Sequence, residues 1–153
     1  MAQPLSIAVL HGPNLQCIGQ REPAVYGRTT FTELNQQLLR WARVHEVTLT
    51  ITQSDDESAC VAAVHTAAHQ GCRAMVMNPG GLTHTSVALR DAIAAVAMPV
   101  LEVHISNLAA REPFRSHSLI APVAAGTIFG FGVIGYEIAL EAALRLCKKT
   151  DGA

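Results

Sequence analysis

The sequence predicts an α/β fold in which a five-stranded parallel sheet is the middle of three layers. Five short runs of β-branched and apolar residues alternate with segments of helical periodicity, and most connections between them are short. Strands and helices that alternate in this way form parallel sheets with helices on both faces. Half of the 153 residues are apolar, which is enough for the core of one domain.

The strands are identified by short apolar runs that end in polar or glycine-containing turns. The fifth run contains glycines, which weaken a strand. We expect the strands at residues 5–11, 47–53, 74–78, 99–105 and 127–134.

Four helices are expected between and after these strands. The first follows the capping box Thr-Phe-Thr-Glu at residues 30–33 and has apolar side chains at helical spacing. A second capping box at residues 54–57 predicts a helix that extends to about Gln70. The last two helices are expected at residues 86–96 and 136–148. This order of elements favours a flavodoxin-like sandwich, with residues 1–153 as one domain.

Composition argues against several classes of function. The net charge is −1 without a basic or acidic block, which argues against nucleic-acid and membrane-surface binding. No segment reaches the roughly 20 apolar residues of a membrane helix. The first apolar run is too short for a signal peptide and lacks a basic flank. The four cysteines have no CxxC spacing, so we expect free thiols and a cytoplasmic location.

One long irregular segment, residues 12–29, is a candidate lid because it is longer than most connections in compact domains. It contains Arg21 and Tyr26. A free tyrosine with a pKa of about 10 is phenolate in only about one molecule in a thousand at pH 7. A nearby guanidinium stabilises the phenolate, so this pair could form a general base. These residues alone favour the alternative, a solvent-exposed loop tyrosine.

Polar side chains occur where the predicted strands end. In open parallel sheets, ligands bind beyond the carboxyl ends of the strands, so we expect the functional site at that edge. The polar residues at these ends are His11, Asn14, Gln53, Asn78, His84, Glu102, His104 and Ser106.

The fourth strand carries two ionisable residues on one face. Because strand side chains alternate between faces, Glu102 and His104 point to the same side, where an inner strand is normally apolar. A carboxylate beside an imidazole fixes its tautomer and favours the imidazolium that a general acid requires. The strand alone leaves open a buried pair that satisfies only itself. Arg111 and Arg115 follow this strand and could bind a carboxylate or simply be surface charges.

Three other patterns carry less weight. Residues 130–135 match GxGxxG, but they lie at the last strand–helix turn, where no dinucleotide-binding unit can be completed. His65 and His69 are four residues apart on a predicted helix without a third ligand, so exposed histidines are expected there. No feature of the sequence activates the thiol of Cys17. We therefore expect no metal site.

A set of motifs, in order and over nearly the whole chain, resembles the type II 3-dehydroquinate dehydratases. The motifs are Gly-Pro-Asn-Leu at 12–15, Arg-Glu-Pro-x-x-Tyr-Gly at 21–27, Asn-Pro-Gly-Gly-Leu-Thr-His-Thr-Ser at 78–86, Val-Ala-Leu-Arg-Asp at 87–91, Glu-Val-His-Ile-Ser-Asn at 102–107 and Arg-Glu-Pro-Phe-Arg at 111–115.

The resemblance implies a flavodoxin-like lyase that assembles as a dodecamer of four trimers. It implies that 3-dehydroquinate loses water through an enolate to give 3-dehydroshikimate, in the shikimate or quinate pathway, without a metal or cofactor. The only lysines, Lys148 and Lys149, lie in the tail, which argues against the imine chemistry of the unrelated type I enzymes.

The resemblance also assigns roles to the proton-transfer residues. Tyr26 matches the base that removes a proton from C2, and Arg21 matches the arginine that supports the tyrosinate. Asn14 matches the residue that holds a water against the developing enolate. His104 matches the acid that protonates the leaving hydroxyl, and Glu102 matches its orienting partner.

Other matched positions concern substrate and subunits. Asp91 matches a residue that reaches the site of a neighbouring subunit, and Arg111 matches an arginine near the pocket. The matched substrate contacts are Asn78, His84, Ile105, Ser106 and Arg115.

The chain departs from the family pattern at several positions. His11 replaces an asparagine that often precedes Gly-Pro-Asn, and Ala109 stands where many members have histidine. Gln16 and Cys17 vary the entry to the lid. None of these positions matches a proton-transfer residue. Three alternatives stay open: a dehydratase of another ring acid, a flavin- or nucleotide-binding module, and an inactive relative.

Overall fold

A computed structural model of the protein describes residues 4–151, which contain a five-stranded, all-parallel sheet with strand order β2-β1-β3-β4-β5. This is the strand order of flavodoxin-like sandwiches, and it confirms the predicted fold class. The strands are β1 (Leu5–His11), β2 (Val47–Gln53), β3 (Ala74–Asn78), β4 (Val100–His104) and β5 (Gly126–Phe129).

Helices cover both faces of the sheet. Helices α2 and α6 pack on one face, where side chains such as Leu34 and Leu140 belong to the same buried core as Ile7 and Val9 of β1. The opposite face of the same strand packs within a second core that contains residues of α3 and α5. The helices are α1 (Pro23–Tyr26), α2 (Phe31–Val44), α3 (Glu57–His69), α4 (Leu82–Thr85), α5 (Val87–Ala95) and α6 (Ile134–Asp151). Short 3-10 turns lie at Leu15–Cys17, Leu108–Ala110, Pro113–Ser116 and Ala121–Val123.

The predicted strands agree closely with the structure except at the last one. The first three have the expected bounds, and β4 is one residue shorter at each end. The prediction that the fifth strand continues to residue 134 is wrong. Gly130 and Gly132 adopt φ values of 92° and 64°, which turn the backbone out of the sheet after Phe129. The apparent GxGxxG motif is therefore the turn that leads into α6.

The two predicted capping boxes differ in outcome. The first is confirmed, because the Thr30 side chain accepts from the Glu33 amide while the Glu33 carboxylate accepts from the Thr30 amide. The second is wrong. The cap of α3 is Asp56, whose carboxylate accepts from the Ser58 amide at 2.9 Å. The Ser54 hydroxyl instead accepts from the Asp56 amide and shapes the turn before the cap.

The register of the inner strands brings their carboxyl ends to one edge of the sheet. His11 pairs with Gln53 on one side and with Asn78 on the other, and Met77 pairs with Glu102. The segment at 12–29 leaves this edge from β1 and is less irregular than predicted, because it contains the turn Leu15–Cys17 and helix α1. None of the helices in the described range is long and apolar enough to span a membrane.

Candidate active site

A cleft lies at the carboxyl ends of β1, β3 and β4, under the segment that contains α1. Every residue to which the family resemblance assigned a role lines this cleft except Glu102 and Asp91, and of the other polar residues at the strand ends His11 and Gln53 do not line it. The predicted residues that line it are Asn14, Arg21, Tyr26, Asn78, His84, His104, Ile105, Ser106, Arg111 and Arg115.

Glu102 lies behind His104 and holds its ring in place. The His104 Nε2 lies 2.7 Å from the Glu102 Oε1, and both side chains are buried. Because the carboxylate can only accept, Nε2 carries the proton of this hydrogen bond. The other ring nitrogen, Nδ1, is then the one free to exchange a proton with a bound molecule. The pair is therefore more than a self-contained buried contact, since its imidazole faces the cleft.

Three hydroxyl groups surround the Glu102 carboxylate, and the sequence did not single out any of them. Thr83 and Ser118 donate to Oε1, Ser118 also approaches Oε2, and Thr127 donates to Oε2 at 3.3 Å. Burial alone would raise the pKa of Glu102. The hydrogen bonds from His104, Thr83 and Ser118 outweigh burial and hold that pKa below its ordinary value. The carboxylate therefore stays charged beside the imidazole.

Tyr26 of α1 lies close to two guanidinium groups. The Arg111 Nη1 donates to the Tyr26 hydroxyl at 3.0 Å and also to the Ser106 hydroxyl at 2.9 Å. The guanidinium carbons of Arg111 and Arg21 lie 5.3 and 5.6 Å from the centre of the Tyr26 ring. The sequence paired Tyr26 with Arg21, whereas the direct hydrogen bond comes from Arg111. Arg21 contacts the ring face and pairs with Glu22 at 3.4 Å.

The first turn of the candidate lid is fixed to the loop after β2. Asn14 has a left-handed backbone with φ of 70°, and its amide donates to the Asp55 carboxylate at 2.8 Å. The amides of Gln16 and Gln53 donate to the same carboxylate. These bonds lower the pKa of Asp55 and hold Asn14 at the rim of the cleft. Asp55 belongs to the wrongly predicted capping box, so its role at the site was missed.

Glycines let the loops after β1 and β3 approach each other at the floor of the cleft. A Cβ atom at Gly12 would lie 2.6 Å from the carbonyl oxygen of Pro79. Gly80 has a positive φ of 57°, and a Cβ there would lie 2.9 Å from the carbonyl oxygen of Pro13. Larger residues would push the loops apart and move the polar groups that follow them.

The remaining predicted contacts have identifiable partners. His84 Nδ1 donates to the carbonyl oxygen of His117 at 2.7 Å. The other ring nitrogen, Nε2, can therefore contact a molecule bound in the cleft. Arg115 Nε donates to Glu112 at 2.7 Å, which holds the guanidinium near the rim. Asp91 lies outside the cleft, is exposed and pairs with Arg90 at 2.9 Å. Its predicted reach into a neighbouring subunit stays a prediction.

Several weaker patterns have structural outcomes. His65 and His69 are both exposed on α3, as expected. Between residues 4 and 151, no group of three or more His, Cys, Asp or Glu residues is arranged to hold a metal ion. Cys17 is half-buried in the turn that opens the candidate lid, and all four cysteines are free.

The family profile described as dehydroquinase class II matches residues 5–144. The chain belongs to this family. A 3-dehydroquinate dehydratase of Pelotomaculum thermopropionicum is 51% identical over 93% of this chain and 98% of the relative. One of Methylococcus capsulatus is 47% identical over 94% and 97%. The crystal structure of a type II dehydroquinase from Butyrivibrio crossotus superposes with a TM-score of 0.91 at 36% identity, covering 93% of this chain and 99% of the other.

The Thr83→Val substitution tests how far the buried hydroxyls support the charged Glu102. It removes one donor to a buried carboxylate, so we expect the free energy of unfolding to fall by about 1.5–3 kcal/mol at pH 7 in urea denaturation. Thr85→Val is the matched control, because Thr85 is exposed on the same short helix, and we expect a change within about 0.5 kcal/mol.

The difference in free energy of unfolding between wild type and Thr83→Val should depend on pH. The depressed pKa of Glu102 contributes stability that is present above its ordinary value of 4.5 and is lost as the pH falls through the folded value. The gap between wild type and Thr83→Val should therefore narrow in acid. Equal losses for Thr83→Val and Thr85→Val would contradict the assignment.

Proposed function

We propose that this protein removes water from 3-dehydroquinate to give 3-dehydroshikimate. The observation that carries the proposal is that Tyr26 and His104 face one cleft from different elements, each beside charges that suit an opposite proton transfer. Tyr26 accepts a hydrogen bond from one guanidinium and lies near a second, and His104 shares a hydrogen bond with a buried carboxylate. Family membership supports the substrate, because relatives of this chain carry the name 3-dehydroquinate dehydratase.

The base of the proposed reaction is Tyr26. The guanidinium of Arg111 donates to the phenolic oxygen, and that of Arg21 lies over the ring, so both place positive charge beside the phenol that is proposed to accept the proton. The phenolate takes the proton from C2 of the substrate, and the electron pair is delocalised toward the C3 carbonyl as an enolate. A water held by Asn14 at the rim would stabilise the enolate oxygen.

The acid of the proposed reaction is His104. Its Nε2–H is held by Glu102, so Nδ1 delivers the proton to the C1 hydroxyl as the C1–O bond breaks. The products are water and a C1–C2 double bond conjugated with the C3 carbonyl. The base comes from the segment over the cleft and the acid from the sheet below it, which suits anti elimination. All proton transfers are assigned to side chains, so the scheme requires no cofactor.

The other cleft residues are proposed to bind the substrate and exclude water. His84, Ser106 and Arg115 offer polar groups to the hydroxyls and carboxylate, together with Asn78 and the backbone at Ile105. An arginine suits bidentate capture of a carboxylate. Residues 12–29 are proposed to close over the substrate as a lid, because they carry both Asn14 and Tyr26.

Assembly into a homododecamer of four trimers and a cytoplasmic location are part of the same proposal. The exposed side chains of Phe129, Phe131 and Ile134 lie in and after the edge strand β5, where a subunit contact would cover apolar surface. Asp91 is exposed outside the cleft, which fits a contact made across subunits. The four free thiols fit a reducing compartment.

The direct test of the reaction is ultraviolet absorbance of the conjugated enone, after purified protein is mixed with 3-dehydroquinate and a chelator. We expect absorbance to rise at the same rate with and without the chelator. Tyr26→Phe keeps the ring but cannot accept the proton, so we expect its rate to fall to the blank. Folded wild type that gives no product would refute the substrate, and a near-normal rate for Tyr26→Phe would refute the base.

The two arginines beside Tyr26 should differ in their kinetic effects. Arg111→Ala removes the hydrogen bond to the phenolic oxygen, so we expect kcat to fall by roughly 100-fold or more, since base catalysis contributes about 10²–10⁴. Arg21→Ala removes a cation from the ring face and should lower kcat less, with KM changed little. A larger loss of kcat for Arg21→Ala than for Arg111→Ala would show that Arg21 is the main support of the Tyr26 base. An effect of either variant on KM alone would make that arginine a substrate clamp.

A further inference from the structure

A chain of four buried or half-buried side chains lies behind the cleft and ends at Asn78. His11 Nε2 lies 2.9 Å from the Oδ1 of Asn35, and His11 Nδ1 lies 3.0 Å from the hydroxyl of Tyr136. The Asn78 Nδ2 donates to the same hydroxyl at 3.1 Å, and the Asn78 Oδ1 accepts from the Gly80 amide at 3.1 Å. His11 and Tyr136 are completely buried, and Asn78 is nearly so. We call these contacts the His11–Tyr136 relay.

The direction of every hydrogen bond in the relay follows from its Gly80 end. A backbone amide can only donate, so the Asn78 atom that faces it must be the carbonyl oxygen. The Asn78 nitrogen then donates to the Tyr136 oxygen, and the buried Tyr136 hydroxyl must donate onward to His11 Nδ1. If Nδ1 carried a proton instead, the Tyr136 hydroxyl would lose its acceptor in a fully buried position.

The ionisation states of both residues agree with this direction. Burial lowers the pKa of His11 to about 4, partly offset by the bond to Asn35, so the ring is neutral near pH 7. Its single proton then lies on Nε2 and is donated to the Asn35 carbonyl oxygen. Burial also raises the pKa of Tyr136, so its hydroxyl remains protonated and available as a donor.

The relay limits what Asn78 can offer to a bound molecule. Its Oδ1 is occupied by Gly80, and one Nδ2–H is occupied by Tyr136, so one amide N–H remains. We propose that His11 and Tyr136 are positioning residues that fix the Asn78 amide to present an N–H donor to an oxygen of the substrate. This rests on the proposed function for the identity of the substrate. His11 and Asn35 extend the relay to α2, which anchors it from the far side.

The kinetic test is a double-mutant cycle between Tyr136→Phe and Asn78→Ala, measured with 3-dehydroquinate. Tyr136→Phe should lower kcat/KM by roughly five- to thirtyfold, mostly through KM, because a ligand hydrogen bond loses its fixed donor. In the Asn78→Ala background, the same substitution should have little further effect, because the relay acts through that amide. Leu140→Ala, a buried residue on the next turn of α6, is the control for loosened packing and should leave kcat/KM unchanged.

Three kinetic results would overturn the proposal. The first is a kcat/KM for Tyr136→Phe within about twofold of wild type, since one fixed hydrogen bond is worth more than that. The second is a loss of kcat/KM that is fully additive in the Asn78→Ala background. The third is an equal loss of kcat/KM in Leu140→Ala. Any of these results would make Tyr136 a packing residue without a link to the substrate.

A second measurement does not depend on turnover. In protein labelled with ¹⁵N-histidine, the signals that disappear in His11→Asn belong to His11, and their shifts report its tautomer. We expect a neutral ring with the proton on Nε2 at pH 7. A proton on Nδ1, or a charged ring, would overturn the relay. If wild type fails to convert 3-dehydroquinate while His11 shows the expected tautomer, the proposed function fails and the positioning of Asn78 stands.

Discussion

The buried carboxylate of Glu102 is the constraint on which the rest of the site depends. An inner strand of a parallel sheet is normally apolar on both faces, and a carboxylate there needs donors on all sides. Hydroxyls of Thr83, Ser118 and Thr127 supply them from separate elements, and His104 supplies the last one toward the cleft. Helix α4, strand β5 and the segment that carries Ser118 therefore have to meet around the Glu102 carboxylate, and this arrangement fixes the position of His104 in the cleft.

The opposite wall is built from charges of the other sign. Arg111 follows β4 and donates to the hydroxyl of Tyr26. This hydrogen bond ties the segment at residues 12–29 to the edge of the sheet. Asp55 fixes the beginning of that segment through the backbone of Asn14. The cleft therefore places an anion behind its imidazole and cations around its phenol, which is the polarity that removal of a proton and a hydroxyl requires.

Much of the fold and of the candidate site was predictable from the sequence. The rest was not predictable, because it depends on contacts between residues that are distant along the chain. Strand periodicity located the sheet and its polar edge, and the alternation on β4 placed Glu102 and His104 on one face. The sequence did not identify the hydroxyl partners of Glu102, because Thr83, Ser118 and Thr127 lie 19, 16 and 25 residues away along the chain, outside the local pattern of β4. The hydrogen bond from Arg111 to Tyr26 was missed for the same reason, because the two residues are 85 positions apart, whereas Arg21 is near Tyr26 in the chain and its guanidinium does lie over the ring.

The most direct test of this account is the effect of Glu102→Gln on turnover of 3-dehydroquinate. The amide keeps the shape of the side chain but removes the negative charge that lies beside the His104 imidazole. The account predicts that kcat falls by roughly 10- to 100-fold while KM changes little, since general acid catalysis contributes about 10²–10⁴. A kcat within about twofold of wild type would contradict it, because a change that small leaves general acid catalysis essentially intact.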